Sequence, residues 1–85
     1  MRTVAFTSLA FKEYNDWFEL DKSIIDRIKV LIREIDNDPF KGIGKPEPLR
    51  GNWGGYWSRR INHEHRLVYK VSESQIFIVK CKGHY

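Results

Sequence analysis

The sequence contains very little cysteine: Cys81 is the single example among 85 residues. One thiol cannot form an intrachain disulfide, and zinc sites of the usual cysteine-rich kind are excluded with it. The fold must therefore be held by packing, which suits a reducing cytoplasm, the expected location. A chain of this length is expected to form one small domain with a single core, spanning residues 1–85.

Long apolar runs are absent too. The N-terminal stretch "MRTVAFTSLAFKE" is interrupted by Thr3, Thr7 and Ser8 and reaches a charge at Lys12. It is too short and too broken for a signal peptide, and no other segment is long and apolar enough to span a bilayer. We therefore expect neither a leader nor a membrane partner.

Several signatures of catalytic chemistry are also missing. No glycine-rich phosphate loop precedes a helix, no Ser or Cys lies in a nucleophile setting, and the acidic residues lack metal-ligand spacing. His63 and His65 flank Glu64 and are interpreted as solvated or hydrogen-bonded turn residues, in preference to a strand-borne metal site. Hydride transfer, phosphoryl donation and two-metal chemistry are not expected, and neither is a metal or a cofactor.

The net charge of +4 is unevenly distributed along the chain. Residues 1–40 carry six Lys/Arg and eight Asp/Glu, whereas residues 41–85 carry nine and three, so the two parts have net charges of −2 and +6. A cationic surface suggests a polyanionic partner, nucleic acid first, because Lys and Arg that neutralise phosphates release condensed counterions. The alternative is that these residues only keep the domain in solution.

The spacing of apolar residues predicts an α+β fold. A first strand is predicted at residues 3–6, a helix over residues 8–19, and a second helix from a cap at Asp21 or Ser23 to "NDP" at residues 37–39. Three further strands are predicted at residues 56–61, 65–71 and 75–81. We expect a small antiparallel-rich twisted sheet with the two N-terminal helices packed on one face, and arginines on the open face.

Residues 40–55 are predicted to form one long loop, since they hold five of the six glycines. A loop of this length in a compact domain is usually functional or disordered, and its basic and aromatic content favours function. Trp53 in this loop either stacks on a nucleotide base or closes over the edge of the core. The second interpretation is favoured.

Side chains in the second half of the sequence suit metal-free cleavage of a phosphodiester. RNA supplies its own nucleophile, the 2′-hydroxyl, which needs a base; the phosphorane needs cationic donors, and the departing 5′-oxygen needs an acid. Glu47 can serve as the base and His84 as the acid, with Arg60 and Arg66 as the clamp. A bland alternative stays open, in which the glutamate is a solvated loop acid and the arginines are exposed strand residues.

Longer motifs carry a family resemblance. "KGIGKPEPLRGNWGGYWSRRINHEHRLVYKV", the terminal "GHY" and "DKSIIDRIKVLIREI" in the second helix resemble the YoeB (Txe) family of bacterial toxins, within the RelE-like group. Members are ribosome-dependent mRNA endoribonucleases, each neutralised by an antitoxin encoded beside it. The resemblance runs almost end to end and implies a RelE-like fold, with the ribosome, mRNA and a YefM/Axe-like antitoxin as partners. Dimers occur among relatives, so a homodimer is open too.

The resemblance also implies roles for individual residues. The implied catalytic positions are the glutamate of "KPEPL", the arginine of "EHRLVY" and the terminal pair, which are Glu47, Arg66, His84 and Tyr85. The implied substrate-binding positions are Arg60, Glu64 and, less directly, Arg50. The sequence departs from the family pattern at Trp53 and in "NHEH", which affects loop shape and none of the four implied catalytic residues.

The end of the chain has a predicted role of its own. Gly83 is expected to let the backbone turn in after the last strand, so that His84 as imidazolium can protonate the leaving oxygen while Tyr85 stacks on or orients the substrate. Two other classes of function remain open. One is a RelE-like fold that acts by binding a target, and the other is a basic module that grips RNA without cutting it.

Overall fold

The chain folds into two consecutive helices and a single five-stranded sheet. The computed structural model describes residues 1–84. The elements are β1 (Thr3–Phe6), α1 (Ser8–Leu20), α2 (Lys22–Asn37), β2 (Glu47–Pro48), β3 (Trp57–Arg60), β4 (Arg66–Val71) and β5 (Gln75–Lys80). The predicted helices and the four predicted strands are confirmed, with ends that differ by one or two residues. No helix among residues 1–84 is long and apolar enough to cross a membrane.

The strands lie in the order β1, β5, β4, β3, β2 across the sheet. Strands β2 to β5 pair antiparallel, as expected, whereas β1 is parallel to β5 and makes the sheet mixed. The two helices connect β1 to the rest of the chain, so that β1 can join the free side of β5. A bulge interrupts the pairing of β4 with β5 between Val68 and Tyr69.

One residue separates the two helices and caps them both. Asp21 has an extended backbone, and its N–H donates to the Trp17 carbonyl at the end of α1. Its carboxylate accepts the N–H of Ser23 in the first turn of α2, which satisfies one of the unpaired donors there. The first helix begins in the same way, because the Thr7 hydroxyl accepts the Ala10 N–H.

The helices bury different amounts of apolar surface against the sheet. The second helix buries Ile24, Ile25, Ile28, Leu31 and Ile35, and Ile32 is partly buried beside them. On α1, Ala10 and Trp17 are buried, whereas Phe18 is 45% exposed. Phe18 packs edge-on against Tyr14, which in turn contacts Phe6 of β1. These rings form an aromatic row beside the core.

Arg59 in β3 is fully buried and holds the segment that joins α2 to β2. Strand alternation puts Arg59 on the opposite face from Arg60, but it does not predict what Arg59 bonds. Its Nε donates to the Tyr69 hydroxyl at 3.2 Å, and that hydroxyl donates to the Pro39 carbonyl. The Nη1 and Nη2 atoms donate to backbone carbonyls of the joining segment, those of Asp38, Lys41 and Ile43.

The prediction of one long loop over residues 40–55 is wrong. This segment contains β2, which pairs with β3, and a short 3-10 turn at Gly51–Trp53. The joining segment also packs closely on the core at Gly44, where an added Cβ would lie 3.0 Å from Leu31 Cδ2. Gly44 has a φ of 83°, and its carbonyl accepts the Arg60 N–H. The segment is therefore a packed part of the fold.

We expect Arg59→Met to lower the free energy of unfolding by about 3 kcal/mol, since bonds to a charged donor are lost and their acceptors are left unpaired. Chemical denaturation measures the change. The control is Arg33→Met on the exposed side of α2, which is expected to stay within about 0.5 kcal/mol of the parent chain. Equal stability of the two variants would show that Arg59 does not hold the joining segment.

Candidate active site

Two arginines stand directly opposite each other on the open face of the sheet. Arg60 of β3 and Arg66 of β4 are register partners, and directly opposed side chains have Cβ atoms about 4.5–5.5 Å apart. Neither forms an ion pair with a carboxylate of residues 1–84. Like charges in this arrangement are destabilising, and a local rule broken in this way is typical of functional sites.

The guanidinium of Arg66 divides its donors between the fold and the open face. Its Nη1 donates to three carbonyls of the turn between β3 and β4, those of Asn62, His63 and His65, at 2.8, 3.3 and 3.1 Å. The Asn62 side chain completes this turn by accepting the N–H groups of Glu64 and His65. The Nε and Nη2 atoms of Arg66 make no hydrogen bond within residues 1–84, so this edge can receive an anion.

Glu47 lies on the same face as the arginines. It is exposed on β2 and is the register partner of Ser58, which is two residues before Arg60 in β3. Register partners point to the same side of a sheet, and residues two apart in a strand are about 7 Å apart along it. The structure therefore brings the predicted base, Glu47, and both predicted arginines to one surface.

The C-terminal tail runs beside the start of β4. Gly83 donates its N–H to His65 Nδ1 at 2.8 Å, and its carbonyl accepts the Arg66 N–H at 3.0 Å. Gly83 has a φ of 78°, a left-handed conformation that favours glycine, and the chain turns there as expected. The exposed His84 follows directly and is therefore placed next to the backbone of Arg66. The prediction for Tyr85 lies outside the described residues.

Helix α1 anchors the tail at Cys81, two residues before Gly83. The Cys81 N–H donates to Glu13 Oε1 at 2.8 Å, and its carbonyl accepts Trp17 Nε1–H at 3.0 Å. Glu13 is buried and also pairs with Lys80. Burial, with the nearby negative charge of Glu13, raises the pKa of the Cys81 thiol to about 12. Cys81 is therefore a packed thiol that is very little ionised near neutral pH.

The other predicted positions lie around this centre. Arg50 is exposed and precedes the 3-10 turn, and Glu64 is exposed with its Oε2 at 3.8 Å from His65 Nε2. His63 is exposed and His65 accepts a hydrogen bond, which confirms their interpretation as turn residues. Among residues 1–84 there is no group of three or more His, Cys, Asp or Glu side chains that could hold a metal.

The favoured interpretation of Trp53 is wrong. Its ring packs edge-on against Tyr56 at a centroid distance of 5.5 Å, remains 37% exposed and lies outside the core cluster. Lys70 lies over the other ring of this pair, 5.5 Å from the Tyr56 centroid. The loop tryptophan is thus part of an aromatic and basic patch near the sheet's open face and does not close over the core.

Sequence reasoning missed the residues that hold the tail. Glu13, Trp17 and His65 all contact it, and none of the three was predicted to do so. A signal was present in α1, where Glu13 lies three residues after Ala10 and four before Trp17, within the buried helix face. A carboxylate at such a position needs a buried partner, which here is the backbone of the tail.

The same fold occurs in a solved protein of low sequence identity. YafQ from E. coli superposes with a TM-score of 0.82 at 19% identity, covering 99% of this chain and 94% of that one. At this identity the match shows the fold alone, and the predicted RelE-like fold is confirmed.

Sequence comparison gives the family. Residues 6–85 match the model of the family described as "YoeB-like toxin of bacterial type II toxin-antitoxin system". Toxin YoeB from Synechocystis is 53% identical over 83 residues, which cover 96% of this chain and 95% of that protein. The chain belongs to the YoeB-like toxins of bacterial type II toxin-antitoxin systems, as the resemblance in its motifs indicates.

Two solved relatives come from Staphylococcus aureus. One is a YoeB dimer, which matches with a TM-score of 0.93 and 46% identity over 99% of this chain and 98% of that one. The other is a heterotetrameric YoeB–YefM toxin–antitoxin complex, which matches with a TM-score of 0.91 and 45% identity over 100% and 99%. The shared fold therefore extends over the whole described chain, including the open face.

Removing one arginine of the opposed pair should relieve its repulsion. We expect Arg60→Gln to raise the melting temperature by about 2–4 °C at low ionic strength, with the gain fading as salt is added. The matched control is Arg50→Gln, which removes the same charge from an exposed position outside the pair. Equal gains in both variants would assign the effect to net charge, and a loss in Arg60→Gln alone would contradict repulsion.

Proposed function

We propose that this toxin is a ribosome-dependent mRNA endoribonuclease that needs no metal. The observation that carries the proposal is the opposed pair of Arg60 and Arg66, which has no carboxylate partner within residues 1–84. A phosphodiester supplies the anionic oxygens that such a pair can bind, and the planar arginine fork matches them in geometry. The Nε and Nη2 edge of Arg66, which makes no hydrogen bond within residues 1–84, is suited to this contact.

The groups on the open face divide the reaction between them. Glu47 takes the proton of the 2′-hydroxyl, whose oxygen then attacks the adjacent phosphorus. Arg60 and Arg66 stabilise the extra negative charge of the phosphorane. The bond from phosphorus to the 5′-oxygen breaks, and His84 as imidazolium donates its proton to that oxygen. The products are a 2′,3′-cyclic phosphate and a 5′-hydroxyl.

Three further residues are proposed to act on the same substrate. Tyr85 orients the nucleotide beside His84, as the family resemblance implies. Arg50 precedes the 3-10 turn, and Glu64 lies in the turn between β3 and β4. Both are exposed and are proposed to contact the message. These three act by binding and positioning, whereas the proton transfers belong to Glu47 and His84.

The ribosome is proposed to supply the alignment that this chain lacks. The candidate active site is an open surface of the sheet. A cavity of about 240 Å³ lies elsewhere, at the end of β4, and is lined by residues such as Lys70 and Phe77. Glu47 is exposed, and carboxylates in general are weak bases, so positioning must contribute much of the rate. Alignment of attacking and leaving groups can contribute roughly 7–11 kcal/mol. The +6 half of the chain would dock on ribosomal RNA.

Neutralisation is proposed to act on the same surface. The complex from Staphylococcus aureus supports a YefM-like antitoxin as the partner. An extended acidic segment, disordered before binding, can fold over the cationic open face and displace the tail. A homodimer is proposed as a second assembly, since the YoeB dimer of the same organism has this fold.

The reaction is tested by mapping the ends of a message translated in a purified system. We expect cuts within the codon in the decoding site, a 5′-hydroxyl on the downstream fragment, and a 2′,3′-cyclic or 3′-phosphate upstream. A message with 2′-deoxyribose at the scissile nucleotide should stay intact, because the nucleophile is missing. A 5′-phosphate on the downstream fragment would contradict this mechanism. An uncut message on stalled ribosomes would favour the non-catalytic alternative.

The role of the tail is tested by length variants. We expect a chain without residues 84 and 85 to cleave about 10²–10⁴-fold more slowly, the usual effect of removing a general acid, with little change in melting temperature. A short Gly-Ser extension after Tyr85 should reduce cleavage less. Wild-type cleavage by the shortened chain would show that another group is the acid.

A further inference from the structure

We propose that His65 is a positioning residue that holds the C-terminal tail, so that His84 stands beside Arg66. The hydrogen bond from the Gly83 N–H to His65 Nδ1 carries the proposal. Its effect on cleavage rests on the proposed function above, whereas its effect on the tail does not. His65 touches no substrate in this scheme and acts through the backbone of Gly83.

The imidazole is itself held in place. Its side chain is 16% exposed, and the ring packs edge-on against Trp17 with a centroid distance of 4.7 Å and an interplanar angle of 75°. Trp17 also donates its Nε1–H to the Cys81 carbonyl. One tryptophan therefore contacts both the tail and the side chain that holds it, so the acceptor atom of His65 has a fixed position relative to α1.

Gly83 is the residue of the tail that the hydrogen bond to His65 holds. Gly83 has no side chain to pack and adopts a φ of 78°, so its two backbone hydrogen bonds are what fix its direction. One goes to His65 Nδ1, and the other comes from the Arg66 N–H. Beyond Gly83 no hydrogen bond of the described chain holds His84, which is exposed. The orientation of Gly83 therefore sets where His84 begins.

The bond requires a particular form of the imidazole. Nδ1 must be unprotonated to accept the Gly83 N–H, so the ring proton lies on Nε2, which faces Glu64 Oε2 at 3.8 Å. A doubly protonated ring would point a second donor at the Gly83 N–H and release it. His84, by contrast, must be protonated to act as the acid. His65 thus serves as a hydrogen-bond acceptor and His84 as the proposed proton donor.

Two substitutions of His65 separate the effect of its Nδ1 acceptor from the effect of its ring packing on Trp17. His65→Phe keeps an aromatic ring against Trp17 and removes the acceptor. His65→Asn removes the ring but places its Oδ1 near the position of Nδ1, where it can accept the same N–H. His63→Phe is the control, because it introduces the same ring at an exposed position of the same turn.

The first measurement is amide hydrogen exchange by NMR on the free protein, which needs no ribosome. We expect the Gly83 amide to exchange about tenfold faster in His65→Phe, and to stay close to wild type in His65→Asn and His63→Phe. The Cys81 amide, which is bonded to Glu13, should keep its protection in all variants. An unchanged Gly83 exchange rate in His65→Phe would overturn the proposal.

The second measurement compares single-turnover cleavage with ribosome affinity. We expect His65→Phe to lower cleavage by up to about 10²-fold, the effect of a small misplacement of a reacting group, with ribosome affinity unchanged. His65→Asn should restore most of the rate. Poorer cleavage by the asparagine variant than by the phenylalanine variant would assign the effect to packing on Trp17 and overturn positioning through Nδ1.

The two measurements also separate this proposal from the proposed function. If the wild-type protein leaves the message uncut while His65→Phe still loosens Gly83, the nuclease assignment fails and the clamp on the tail stands. If the wild-type protein cuts and His65→Phe cuts equally fast, the nuclease assignment stands and the positioning role is overturned.

Discussion

The buried guanidinium of Arg59 is the contact on which the geometry of the open face depends. No carboxylate of residues 1–84 pairs with it; its acceptors are three backbone carbonyls and the Tyr69 hydroxyl. A buried charge must be hydrogen-bonded, so the segment between α2 and β2 has to wrap around this side chain. That path places Gly44 against β3 and leads directly into β2. Glu47 therefore reaches its register with Ser58 because Arg59 is buried behind it.

A second set of contacts holds the C-terminal tail in place. Glu13 and Trp17 of α1 fix Cys81, and the turn that Arg66 organises with its Nη1 supplies the His65 acceptor for Gly83. Two flanking segments thus meet at the pair of central strands, one bringing Glu47 and the other bringing the tail. The groups proposed for the chemistry lie on an exposed sheet face, and their own anchors are buried.

Sequence patterns predicted the parts of the fold in which side-chain burial follows a regular period. Period-two alternation placed Arg60 and Arg66 on the open face, and the helical stripe predicted the buried face of α2. Strand β2 has two residues, too few for any periodicity, and so it was predicted as loop. The partners of Arg59 were missed because they are backbone carbonyls, which every residue has. The place of His84 in the site came from the resemblance and from Gly83, not from a pattern.

The tail is held more firmly at Cys81 than at Gly83, and this difference affects how an inhibitor can act on the site. At Cys81 the thiol is buried and its two backbone groups are bonded to α1, so moving it would expose apolar surface as well as break bonds. Within residues 1–84, two hydrogen bonds hold the chain at Gly83, each worth about 0.5–1.5 kcal/mol net. An inhibitor that covers the open face is proposed to lift residues 83 and 84 at small cost and to leave the fold intact. Such inhibition would withdraw His84 from Arg66 while the sheet keeps its register, and release of the partner alone would reverse it.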